Sequence, residues 1–244
     1  MKFNITNMSQ REAVTVLRWL FPIWALIGMF SLQYVPTTLI VFEDVAVTVS
    51  NISANELLFR AGIAGSLVTQ LIHILAVIAM YKLFKSVDKP LASLLVILGL
   101  VGVPIAMFNE FNQFAVLILL SGVEYLNVFG VEQLQSLIMF FLSLYQEGMM
   151  IATIFWGLWL FPYGLLVKKS GYFPKILGIL VVVAGIGYTL AAFVHFLFPE
   201  YGSVISFLDF LTMGEVVFMV WVLFKGAKLP SDEGGEVKGL EATK

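Results

Sequence analysis

The chain of 244 residues contains no cysteine, which excludes disulfides, thiolate metal sites and cysteine catalysis. Histidine is nearly as scarce, with only His73 and His195. Zinc sites draw three or four ligands from His, Cys and carboxylates. A di-iron carboxylate bundle needs a Glu-x-x-His on two helices. Neither pattern occurs, so the sequence implies no metal and no cofactor. No Gly-rich phosphate loop is present and nothing suggests nucleic acid. Charge itself is thin: Asp, Glu, Lys and Arg make up 12% of the chain, against roughly a quarter in a soluble domain.

What fills the chain instead is apolar. Hydrophobic residues reach 60%, and the mean hydropathy is +0.96. Six apolar segments stand out: Val14–Val41, Gly62–Phe84, Leu91–Leu120, Leu134–Val167, Ile176–Phe198 and Val204–Phe224. Each meets the ~20 residues needed to cross a hydrocarbon core about 30 Å thick. The expected fold is all-α, a polytopic transmembrane bundle of six helices. Arg11 and Arg18 precede an apolar run too long for a secretory signal and without an Ala-x-Ala cleavage site, so the first segment reads as a retained helix.

A second scarcity orients the bundle. Of 14 Lys and Arg residues, only Arg60 falls on the three connections that carry Glu43, Asp44, Glu56, Glu124, Glu132 and Glu200. The others cluster at the N-terminus, around Lys82–Lys89, around Lys168–Lys175, and after Lys225. Lys and Arg resist translocation, so the expected topology is N-in and C-in, in the cell membrane. Residues 1–13 then form a cytoplasmic N-terminus, 14–226 the transmembrane domain, and 227–244 a disordered cytoplasmic tail.

Local signals refine this outline. Ser53-Ala-Asn-Glu56 reads as a capping box that starts the second membrane helix. Gly130 before Val131-Glu-Gln-Leu-Gln reads as a turn and a helix start. In Lys168–Lys175, Gly171 permits a positive-φ turn and Pro174 suits a first helical turn. Helices three and four are long, about 45 and 50 Å at ~1.5 Å per residue. Gly178 and Gly185, seven apart, fit one packing face.

Polar groups inside membrane spans are expensive, which makes them the place to look for function. Ser66, Thr69, Gln70 and His73 share a face of the second helix. Asn109, Glu110, Asn112 and Gln113 lie in the third; Ser143, Gln146 and Glu147 in the fourth. Counting from Lys82 and Lys225 puts His73 and Glu215 near mid-bilayer, with Glu110 and Glu147 further out. The pattern suggests an outward-facing polar cavity floored by His73 and Glu215, with those two paired. Arg60, the lone cation at the mouth, then has Glu110 or Glu147 as its expected partner. The expected ligand set is His73, Glu215, Gln70, Asn109, Glu110, Asn112, Gln113, Gln146, Glu147 and Arg60. No residue is assigned a catalytic role.

From Glu56 to Gly226 the chain resembles an uncharacterised family of prokaryotic multi-pass membrane proteins, domain of unknown function 4386. The resemblance rests on Leu58-Phe-Arg60-Ala-Gly62-Ile-Ala64, Tyr81–Lys89, Asn109 and Asn112, and Gly130-Val-Glu-Gln-Leu-Gln135. Ser170-Gly-Tyr-Phe-Pro-Lys-Ile-Leu-Gly178, Gly187-Tyr188, Pro199-Glu-Tyr201 and Gly214-Glu215 complete it. It implies the architecture, and it marks Arg60, Asn109, Asn112 and Glu215 for testing. Trp159 stands where such sequences commonly have His, and His73 where they have an acid. The function expected is binding of a small amphipathic molecule or lipid, as carrier or sensor, with the lipid bilayer as surroundings. An intramembrane enzyme using carboxylates and His, or a structural accessory subunit, are the alternatives.

Overall fold

The computed structural model describes residues 8–230. Their secondary structure is helical, joined by short turns and loops, with no strand among them. Six helices are long and apolar enough to cross a membrane: α1 (Gln10–Leu39), α3 (Glu56–Phe84), α4 (Lys89–Leu120), α5 (Val131–Ser170), α6 (Lys175–Leu197) and α7 (Gly202–Lys225), with a short apolar α2 (Val45–Ala54) between the first two. The protein is therefore a multi-pass integral membrane protein. The 40 residues of α5 make it the longest, and α4 follows with 32, as their apolar runs predict.

Helix ends follow local chemistry, with one correction. Ser53 lies inside α2, so the Ser53–Glu56 capping box does not form. Asp44 caps α2 instead, accepting from the Val47 amide at 3.0 Å. The α3 ladder opens with Phe59 N–H on the Asn55 carbonyl. With Asp44 capping its start, α2 runs through VAVTVSNISA despite the β-branched residues there and leaves only Asn55 as a break. The other two signals hold. Gly130 precedes α5 and its amide donates to Gln133 Oε1 at 2.8 Å. Gly171, at φ 70°, ends α5, and Pro174 occupies the N-cap of α6, one residue ahead of the first turn. In α1, Met29–Tyr34 widens into a π-helix just before Pro36. A wider turn accommodates a ring that lacks an N–H and crowds the carbonyl four residues back.

The chain divides into two compact units. The first comprises the described residues of Met1–Pro22, Ile74–Leu100 and Thr153–Lys244. Its interior is aromatic: Tyr163 stacks on Trp159 at 5.4 Å and meets Phe218 edge-on at 5.1 Å. Glycines bring its helices together. A Cβ at Gly164 would stand 2.5 Å from the Gly178 carbonyl oxygen, and one at Gly185 would stand 2.8 Å from that of Gly157. Gly178 and Gly185 thus share the α5-facing side of α6, while Gly187 turns toward Leu208 on α7.

Charged and polar ends tie this unit. Arg18 Nε donates to the Leu223 carbonyl at 2.8 Å, and its Nη2 reaches Phe224. A cation there suits the negative end of α7. Lys228 N–H bonds the Tyr172 carbonyl at 2.9 Å and Leu229 is buried, so the chain stays attached past 226. The rest of the expected tail, from 231, lies outside the described residues.

Lys169 Nζ and Asp88 Oδ2 pair at 2.8 Å. That bond, with one from the Leu91 amide, holds the Asp88 carboxyl below its usual 3.8. A depressed folded value contributes stability above the unfolded pKa and loses it as pH falls through the folded one. The pair is exposed, so the effect is small and screened by salt. Asp88→Asn is expected to lower the melting temperature slightly at neutral pH and low salt, and to match the parent once acid has protonated Asp88. Melting curves across a pH and salt series check this.

The second unit, Ile23–His73 and Val101–Ala152, has an apolar core of Val35, Leu39, Ile52, Phe59, Ile63, Val116, Leu117, Ile138 and Leu142. A line of buried polar side chains accompanies that core.

Candidate functional site

In the second unit, Glu110 is the centre of the polar line. It sits on the buried stripe of α4 that runs through Val103, Ala106, Asn109, Gln113, Val116 and Leu117 at spacings of three and four. Only 1% of it is exposed. Three neutral donors from three helices satisfy its carboxyl. Ser66 of α3 donates to Oε1 in a short bond. Tyr145 of α5 donates to the same oxygen at 3.3 Å. Gln113, one turn along α4, donates to Oε2 at 2.8 Å. A buried acid held this way replaces hydration with fixed dipoles from elements that packing already orders.

Asn109 extends the network. Its Nδ2 donates to the Tyr145 carbonyl at 2.7 Å, and Asn112 Nδ2 donates to Asn109 Oδ1 at 2.9 Å. Asn109 lies so close to Gly148 that no Cβ fits there. One turn from Ser66 along α3 lies Gln70, 2% exposed. Its Oε1 is buried and has no hydrogen-bond partner among the described residues. His73, one turn further, is equally buried and meets Trp24 edge-on with ring centres 5.1 Å apart.

Of the expected ligand residues, the structure gathers Asn109, Glu110, Asn112 and Gln113 into this network and places Gln70 and His73 on the same face of α3. Gln146 and Glu147 are both exposed on α5. The buried face of that helix runs Ile138, Leu142, Tyr145 and Ala152, which turns the two residues after Tyr145 away. Arg60 is a correction as well. It pairs with Glu56 at 2.6 Å, one turn back on α3, with both side chains about half exposed. Of the two acids it was expected to reach, Glu110 and Glu147, the first takes uncharged donors from Ser66, Tyr145 and Gln113.

Glu215 belongs to the first unit, where it is buried on α7. It accepts a hydrogen bond from Tyr188 of α6, whose hydroxyl also reaches Thr212. The burial cost that suggested a His73 partner is thus met in part by a tyrosine. Tyrosines are the residues sequence reasoning missed. Tyr145 and Tyr188 each place a phenol on a buried carboxyl, and an apolar ring with a polar tip is suited to that position. Among the described residues, no group of three or more His, Asp or Glu side chains is placed to hold a metal ion.

Comparison with known proteins adds a family and little chemistry. A family model described as "Domain of unknown function (DUF4386)" matches residues 19–226. A relative from Archaeoglobus fulgidus, described as "Uncharacterized protein", is 42% identical over 79 residues, 32% of this chain and 46% of that protein. The match thus spans a little under half the length of that relative. No solved structure matches.

Proposed function

The chain belongs to the DUF4386 family, whose description carries no activity, and from its own side chains we propose a membrane receptor or carrier for a small amphipathic molecule. The molecule's polar head donates hydrogen bonds to Gln70 and Glu110, and its apolar body lies among the helices. The carrying observation is Gln70 Oε1, an acceptor buried without a partner one turn from Ser66 and the Glu110 carboxyl. A buried acceptor left unmade costs about 1–3 kcal/mol, and a bound donor removes that cost. Asn109, Asn112 and Gln113 hold the carboxyl in place, and His73 closes the polar face of α3. In this reading the protein lies in the cell membrane with both termini in the cytoplasm, supported by the confinement of every Lys and Arg but Arg60 to one set of connections.

Gln70→Met separates binding from folding by sign. It keeps the side-chain length and removes the unpaired acceptor. The ligand-free variant is expected to melt higher than the parent, by an amount on the order of 1–3 kcal/mol. It should also lose the co-purifying molecule that native mass spectrometry detects on the parent in nanodiscs. Equal retention by parent and variant, or a parent carrying only bulk lipid, sinks the reading. That second result favours an accessory role, since both Glu110 oxygens are already satisfied within the fold.

A further inference from the structure

We propose that the first unit contains a binding site for an alkali cation, built on an irregular turn of α7 beside Glu215. The site is separate from the Gln70–Glu110 network and does not depend on its ligand.

The argument starts from the backbone. At Thr212 the α-helical pattern of α7 is interrupted. The Thr212 amide bonds the Asp209 carbonyl at 3.1 Å, and the Glu215 amide bonds the Thr212 carbonyl at 3.0 Å, both three residues back. The Leu211 carbonyl is thereby passed over by the ladder. A carbonyl without a helical donor is costly in a membrane span unless something else meets it. Irregular turns of membrane helices offer such carbonyls, together with acids, to monovalent ions.

The side chains around this turn are oxygen donors. Glu215 brings a buried carboxyl, Tyr188 a hydroxyl bonded to it, and Thr212 a second hydroxyl within reach of Tyr188. Independent evidence comes from α5. Tyr163 is 1% exposed, its hydroxyl has no hydrogen-bond partner among the described residues, and Glu215 is near enough to act on it electrostatically. Stacking on Trp159 and edge contact with Phe218 fix its ring, so the phenol cannot swing away to find water.

Glu215 is the buried acid among several neutral oxygens, while Asp209 acts on Tyr188 from an exposed position, and such a set suits an alkali ion. Hard cations take oxygen ligands, and one buried negative charge balances one positive charge. A transition metal would want imidazole or thiolate, and neither contributes to this set. An ion bound to Glu215, Tyr163 and the free carbonyl would relieve three burial penalties together.

The test is thermal melting of the full chain in nanodiscs in sodium, potassium or choline chloride at equal ionic strength. An alkali ion is expected to raise the midpoint over choline by roughly 3 °C or more, saturating with concentration. The sodium and potassium arms identify which ion is preferred. Glu215→Gln should abolish the rise. Tyr163→Phe deletes an oxygen with no partner and so keeps the fold; it should weaken the apparent ion affinity about tenfold. Gln70→Met should keep the full rise, because it alters only the other unit. Identical melting in all three salts overturns the proposal, as does an unchanged ion response in Tyr163→Phe.

Discussion

Gly164→Val is expected to abolish recovery of folded protein from membranes, while Gly202→Ala is expected to leave it unchanged. The two differ in what a side chain would meet. A Cβ on Gly164 stands 2.5 Å from the carbonyl oxygen of Gly178 and 2.9 Å from the Val182 amide nitrogen. These are backbone atoms of a packed helix and cannot rotate aside. A Cβ on Gly202 meets nothing within 4 Å. Overpacking in a tight interior costs about 1–3 kcal/mol even when side chains can yield. With backbone on both sides, α5 and α6 must separate, and the Gly157–Gly185 contact on the same seam loosens with them. Membrane helices gain no water-driven hydrophobic attraction to one another, so close packing through small residues is a main source of their association. Fluorescence-detected size exclusion measures the outcome. A monodisperse Gly164→Val peak with parental melting would show that the seam is not needed.

That seam was partly legible in the sequence. Gly178 and Gly185 are seven apart, and both face α5 as the spacing implies. Their partners Gly157 and Gly164, also seven apart, needed the structure, because one helix's pattern does not say which neighbour it meets. The six long helices were legible throughout, since a hydrocarbon core demands a minimum apolar length and the chain meets it six times. The Ser53–Glu56 box failed for a local reason: its residues form a real motif, but α2 was already helical through Ala54.

The candidate site was half legible. On α4, polar residues interrupt an otherwise apolar stripe, so Asn109, Glu110 and Gln113 could be placed on one face from spacing alone. On α5 polarity does not mark the inward face, since Gln146 and Glu147 are exposed. The buried face there is set by Ile138, Leu142 and Ala152, and the residue in phase with them is Tyr145. Apolar residues lie on both faces of α5, with Phe140, Leu144 and Ile151 exposed, so its sequence alone does not set the phase. Arg60 was misassigned because Glu56, one turn away on its own helix, reaches it at the lower cost of a local contact.

Glu110→Leu is expected to cost more stability than any other single side-chain replacement in the second unit, with Glu110→Gln in between. The acid accepts from Ser66, Tyr145 and Gln113 at once. Leucine removes every acceptor and leaves three donors buried, each costing about 1–3 kcal/mol where water does not reach it. Their sum is comparable to the whole stability of many domains, so little folded protein should remain. Glutamine keeps one carbonyl oxygen of the right size but points an NH2 at one former donor, and two donors then face each other. The intermediate cost follows from that one conflict. A double variant, Glu110→Leu with Tyr145→Phe, should recover part of the loss, since it removes an orphaned donor along with its acceptor. Melting of the parent, Glu110→Leu, Tyr145→Phe and the double variant in nanodiscs measures the coupling. If Glu110→Leu melts like the parent, the carboxyl does not hold these three helices together, and the donors around it must be satisfied by something else.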